Sequence, residues 1–221
     1  MKPLYLFDMG QVVATNVLVL PEIAARLGLS QEGFLNFCGS PLAWGTHGGL
    51  LDDLQTGRLG SLAFWDKFEP LSGRPRPTED LWETCFRPRP IVGTVELIGR
   101  LRDRGHRVVC ATNTLDAHYE IHLARGDYDI FDAVYASHLM GVAKPRPEFW
   151  TRILEAEGVA AREAVFIDDA TANVEAARTL GIESHLFTTS GALSQALGLV
   201  ESFVPKKKRL TAEVAEDRRR K

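Results

Sequence analysis

At 221 residues, with 45% hydrophobic and 25% charged side chains, the chain has the composition of an ordinary globular protein, with room for one large domain or a core plus an insertion. The net charge of -3 gives no ground for nucleic-acid binding by its body, and no apolar run approaches membrane-spanning length. Cys38, Cys85 and Cys110 are odd in number and outside metal-ligand spacing, so reduced thiols and a cytoplasmic setting are expected, and no signal-peptide pattern precedes the first strand.

Leu4 to Phe7 is an apolar run too short for a helix and reads as a strand buried on both faces. It stops at Asp8, with Gly10 two residues on. From Leu18 to Arg89 the sequence predicts short amphipathic helices and no strand: Glu22 to Leu27 behind Pro21, a segment through Phe37 capped by Ser30, Leu50 to Gln55, Leu62 to Phe68 capped by Ser61, and Glu79 to Phe86 capped by Thr78. Trp44, His47, Trp65 and Trp82 fall inside this stretch, as core packing or as substrate contacts. Proline-rich boundaries at Arg74–Pro77 and Arg87–Pro90 mark loops.

Beyond Ile91 strands and helices alternate. A helical stripe runs from Val92 to Leu101, then strand Arg107 to Ala111, helix Leu115 to Ala124 and strand Ala133 to Ser137. Helix Glu148 to Glu157, strand Ala164 to Ile167, helix Asn173 to Leu180 and strand Ser184 to Phe187 follow. That alternation predicts an α/β fold, a Rossmann-like parallel sheet with helices on both faces, interrupted by a helical insertion. The expected division is residues 1–16 and 90–203 for the core, 17–89 for a helical cap, and 204–221 for a basic, disordered tail. The oligomeric state is left open.

Reactive residues fall where the predicted strands end. Asp8 closes the first, Thr112 and Asn113 the second, Asp168 and Asp169 the fourth, and Lys144 lies in the loop after the third. Ligands of open α/β sheets bind beyond the carboxyl ends of the strands. Each residue alone has a plain structural reading as a turn cap or a solvated loop side chain; four such features in order, each at a strand end, point to a site. Three gathered carboxylates repel one another, and a divalent cation removes that cost; an all-oxygen set suits Mg²⁺. Lys144 supplies positive charge for a nucleophile and a phosphate, and the Thr112 hydroxyl can donate to phosphate oxygens. An aspartate attacking phosphorus is a known covalent route.

These residues resemble the haloacid dehalogenase-like superfamily of hydrolases, over nearly the whole chain up to about Phe203. Phe7-Asp8-Met9-Gly10 is similar to its nucleophile motif, Ala111-Thr112-Asn113 to its phosphate-holding motif, Gly141 to Pro145 to its lysine motif, and Phe166 to Asp169 with Asn173 to its acidic motif. The resemblance implies Asp8 as nucleophile and metal ligand, the Gly10 carbonyl as a second ligand, and Asp169 binding Mg²⁺ directly with Asp168 beside it or acting through water. It implies Thr112 and Asn113 as phosphate-holding residues and Lys144 as the balancing charge. Gln55 to Leu59 followed by Ala63-Phe64-Trp65 resembles a segment of a sugar-phosphate phosphatase subgroup. One departure stands out: Gly10 occupies the place of the usual acid/base aspartate, whose help is worth about 10²–10⁴-fold. His47 is a candidate replacement. The expected activity is Mg²⁺-dependent hydrolysis of a small phosphorylated metabolite, with a sugar phosphate as the candidate substrate. The alternatives are a metal-free dehalogenase, which the paired carboxylates disfavour, and a binding or regulatory protein without turnover.

Overall fold

The computed structural model describes residues 2–39 and 48–199; Trp44, His47 and the 204–221 tail lie outside them. β1 (Leu4–Phe7) leads through a tight turn to β2 (Ala14–Thr15). Five helices follow: α1 (Leu20–Arg26), α2 (Gln31–Phe37), α3 (Gly49–Gln55), α4 (Ser61–Ser72) and α5 (Leu81–Thr84). β3 (Arg89–Pro90) returns the chain to α6 (Val92–Asp103), β4 (Arg107–Thr112) and α7 (Asp116–Ala124). β5 (Ala133–Ala136), α8 (Ser137–Met140), α9 (Pro147–Glu157), β6 (Ala164–Asp168), α10 (Thr171–Thr179), β7 (Glu183–Leu186) and α11 (Ser190–Ala196) complete it.

The main sheet is parallel, in the order β5-β4-β1-β6-β7. β1 sits at its centre, which is why all four of its residues are apolar and buried. Its side chains alternate between two cores. Tyr5 and Phe7 pack with Leu97, Ile98 and Leu101 of α6, while Leu4 and Leu6 meet Phe149, Trp150 and Ile153 of α9. The chain runs outward from β1 to β4 and β5, then crosses back to β6 on the other side. The crevice beyond the carboxyl ends of β1, β4 and β6 is therefore a topological switch point.

Helices α1 to α5 form a third apolar core around Phe34, Phe64, Trp65, Phe68 and Trp82, which Leu115 joins from the start of α7. Two local expectations are corrected. Ser61 is the first residue of α4 rather than its cap, and its N–H is received by Asp116 of α7, at 3.1 and 3.0 Å from the two oxygens. The segment Glu79 to Phe86 is helical only over α5, capped by Asp80 and not Thr78. β3, within the Arg87–Pro90 boundary read from sequence as loop, pairs antiparallel with β2 where the chain leaves and re-enters the core.

Candidate active site

The site is built from four separate stretches of chain. β1 delivers Asp8, whose N–H bonds to the Ile167 carbonyl of β6 at 2.9 Å, fixing the carboxylate beside the end of that strand. Lys144 comes from the loop between α8 and α9 and is 1% exposed. Its ammonium donates to Asp8 Oδ1 at 2.7 Å, Asp168 Oδ2 at 2.7 Å and the Ala111 carbonyl at 2.8 Å. Those three acceptors use the three protons of an ammonium, so the lysine is fully satisfied where it is buried. Burial alone would push its pKa down; Asp168 and Asp8 outweigh that and raise it.

Asp168 and Asp169 are neighbours in sequence with opposite surroundings. Asp168 is completely buried, and its oxygens accept from Lys144, from Asn173 Nδ2 at 3.0 and 3.1 Å, and from the Ala170 N–H at 2.8 Å. Asp169 is exposed to the cleft. Asp8, Asp168 and Asp169 each place a carboxylate oxygen within 4.8 Å of the others. Burial pushes the Asp8 carboxyl up to about 7, with Lys144 pulling against that and Asp168 and Asp169 adding to it. Asp169 is raised for the same first reason, burial, and then by Asp168.

Charge decides what this cluster can hold. With all three carboxyls ionised, the cluster and its one ammonium carry two uncompensated negative charges, the repulsion that raises Asp8 and Asp169. Only oxygen donors are present, so a hard divalent cation fits them in both charge and chemistry. The open donors are Asp8 and Asp169, since the oxygens of Asp168 are already engaged by protein groups.

Thr112, Asn113 and Gly10 line the same cleft of about 330 Å³. The Asn113 side chain is committed elsewhere: it donates to the Lys144 carbonyl at 2.9 Å and accepts from the Lys144 N–H at 2.8 Å. It clamps the lysine loop to the end of β4, using Oδ1 and one of the two Nδ2 protons. Gly10 is not required by backbone geometry. A Cβ there would meet a Val17 methyl at 3.4 Å, and Asp8 Oδ2 at 3.9 Å.

Sequence reasoning missed two histidines in the cleft wall. His118 and His122 sit one turn apart on α7, and both line the cleft. His118 bonds through Nε2 to the Trp82 carbonyl at 3.0 Å and stacks on Phe86 with ring centres 3.8 Å apart. His122 bonds through Nδ1 to Asp127 Oδ2 at 2.8 Å. Their spacing of four on a predicted helix was the available signal.

This arrangement defines an acid-and-lysine centre at the switch point of a doubly wound α/β protein. The chain belongs to the haloacid dehalogenase-like hydrolases, whose family model matches residues 50–181. Among similar proteins, a sesquiterpene phosphatase of Aspergillus oryzae is 35% identical over 98 residues, 42% of this chain and 48% of that one. A phosphatase of Mycobacterium tuberculosis is 39% identical over 64 residues, 29% of this chain and 30% of the relative. The chain thus spans about half the length, or less, of the curated relatives it matches. A family enzyme of Bacteroides thetaiotaomicron, solved with magnesium and inorganic phosphate, superposes with a TM-score of 0.65 at 22% identity, covering 86% of this chain and 96% of that one. A phosphatase of Thermococcus onnurineus superposes at 0.63 with 22% identity, covering 90% and 98%. At such identities these likenesses show the fold.

Proposed function

We propose that the protein is a Mg²⁺-dependent phosphatase that hydrolyses a small phosphorylated metabolite through an aspartyl-phosphate on Asp8. The observation that carries this reading is the Lys144 ammonium held between Asp8 and Asp168 at 2.7 Å each, with Asp169 open beside them. The two relatives named as phosphatases support the same chemistry. Asp8 and Asp169, with the Gly10 carbonyl, would hold the metal, and Asp168 stands behind them holding Lys144. Bound there, Mg²⁺ supplies the positive charge that the acidic cluster lacks and that a phosphoryl group needs.

The protein's own residues divide the rest of the work. Asp8 Oδ attacks phosphorus; the P–O bond to the leaving group breaks as the new one forms, and the departing oxygen takes a proton from water. A second water then attacks the phosphoryl group, loses its proton to solvent and frees Asp8. Lys144 keeps Asp8 aimed and favours its charged form. Thr112 offers its hydroxyl to the phosphoryl oxygens, and Asn113 contributes through its main chain while its side chain fixes the lysine loop. Helices α1 to α5 act as the cap, residues 17–89, over the core of residues 1–16 and 90–203.

The sugar-phosphate resemblance has no side chain in the cleft behind it. Gln55, Thr56, Phe64 and Trp65 are all buried, Arg58 pairs with Asp52 and Asp53, and none of them lines the cleft. The free, buried cysteines accord with a reducing compartment such as the cytoplasm. Among the described residues no helix is long and apolar enough to cross a membrane.

Phosphate release from p-nitrophenyl phosphate tests the reading. Activity should require Mg²⁺, disappear with a chelator, and fall at least about 10³-fold in Asp8→Asn. Chloride release from a haloacid without Mg²⁺ would replace this reading with the dehalogenase, and Mg²⁺ binding without turnover on any ester would replace it with a binding role.

A further inference from the structure

Away from its acidic end, the cleft is walled by Val17, Leu18, Phe86, His118 and His122. Val17 and Leu18 follow β2, Phe86 precedes β3, and the two imidazoles of α7 close the side. The wall therefore comes from the two linkers that join the helical insertion to the core, and from the core itself. Leu18 is 66% exposed, a large apolar side chain facing solvent at the cleft rim. Val17 also approaches position 10, so the space where an acid/base carboxylate would stand is bordered by a methyl group.

Polar capacity in this wall is already in use. His118 gives Nε2 to the Trp82 carbonyl and His122 gives Nδ1 to Asp127, leaving each ring one nitrogen. The Thr114 backbone N–H donates to the Ser137 hydroxyl, which donates to the Thr114 carbonyl, and the Thr114 hydroxyl lies 3.4 Å from the Leu115 carbonyl. Gln11 adds a buried Oε1 without a partner among the described residues, next to Gly10 at the phosphate end. A sugar carries a run of hydroxyls, each needing a partner when it is desolvated. The described wall offers too few. What it does offer is apolar surface that gains from being covered, chiefly the exposed Leu18 with the half-buried Val17 and the edge of the buried Phe86 beside it.

From this we infer that the substrate is the phosphate monoester of an apolar aliphatic alcohol, its hydrocarbon lying against Val17, Leu18 and Phe86. The inference rests on the hydrolase reading for its phosphate end and on the linker wall for its organic end, and the two ends can be tested separately.

The full-length protein is assayed with Mg²⁺ on methyl, butyl, hexyl and octyl phosphate and on glucose 6-phosphate. The expected kcat/KM rises with chain length, by up to about fourfold per methylene until the wall is covered, and exceeds that for glucose 6-phosphate. In Leu18→Asn, a change at an exposed position, the octyl-to-methyl ratio should fall roughly tenfold. Binding of octylphosphonate and methylphosphonate, read by calorimetry, needs no turnover. The longer ligand should bind at least about tenfold more tightly, with a more negative heat-capacity change. Turnover that is flat with chain length, or that favours glucose 6-phosphate, overturns the inference and leaves the hydrolase reading standing. No turnover on any ester, with octylphosphonate still preferred, does the reverse. A Leu18→Asn protein with an unchanged ratio removes the linker wall from the account.

Discussion

Lys144 shows how much of this site is decided by one side chain. An ammonium 1% exposed survives only because two carboxylates and a carbonyl surround it, and those carboxylates in turn depend on it. Lys144→Met should therefore destabilise the fold by about 3–5 kcal/mol even before activity is considered, because Asp8 and Asp168 are left buried without their partner. Urea unfolding monitored by tryptophan fluorescence measures this. An unchanged midpoint would mean that the cluster contributes nothing to the folded state. The sequence made these residues visible through their positions at strand ends. It did not reveal that Asp168 is sealed in while Asp169 faces the cleft. That difference comes from the end of β6, where consecutive side chains point to opposite sides and the first is met by Lys144 and Asn173 from elsewhere in the chain. The double hydrogen bond between Asn113 and the Lys144 backbone was equally hidden, since it joins residues 31 apart.

Between elements, Asp52 makes a polar link from the helical segment to the core. It lies on α3, is 6% exposed, and pairs with Arg146 two residues beyond Lys144, with both contacts at 2.8 Å. Arg58 adds a further contact at 2.8 Å. Burial pushes this carboxyl up, but the hydrogen bonds from Arg146, the Gly48 N–H and Arg58 more than offset it and hold the pKa at about 2. Because the folded-state value lies below the unfolded one, the stabilisation is fully present above about pH 4 and is lost as pH falls through about 2. At pH 7, Asp52→Asn should be less stable than wild type by about 2 kcal/mol, and the gap should close as the pH approaches 2. Denaturant titrations at several pH values would show it; a gap independent of pH would assign the loss to packing. The same scale explains which helix ends were misread. A local pattern cannot register that the N-terminus of α4 is received by Asp116 from the other side of the molecule. Short pieces such as α8 and the β2–β3 pair carry too few residues to establish a period, and tertiary contacts hold them.

For the molecule as a whole, the alternation of strands and helices made the parallel sheet legible, because period and length both separate those elements. What it did not carry is how the helical segment rests on the sheet. Gly57 is one point of that contact: its φ is +68, and a Cβ would come within 2.1 Å of the His138 carbonyl oxygen on α8. Gly73 has nearly the same φ, +66, with nothing within 4 Å. Gly73→Ala should cost only the backbone strain, about 1 kcal/mol, whereas Gly57→Ala should cost about 2–3 kcal/mol by forcing the two layers apart. Thermal unfolding of the pair checks this, and equal losses would mean that the close approach yields without cost. The pairing of Ala14 with Pro90 and Thr15 with Arg89 has a wider meaning. A detour whose entrance and exit are already zipped together presents the rest of the polypeptide with a fixed doorway, whatever lies behind it. Lengthening such a detour costs little, about 0.6 kcal/mol of closure entropy per doubling for a flexible loop. The helical segment between β2 and β3 can thus change in length while the strand pair that bounds it keeps its register.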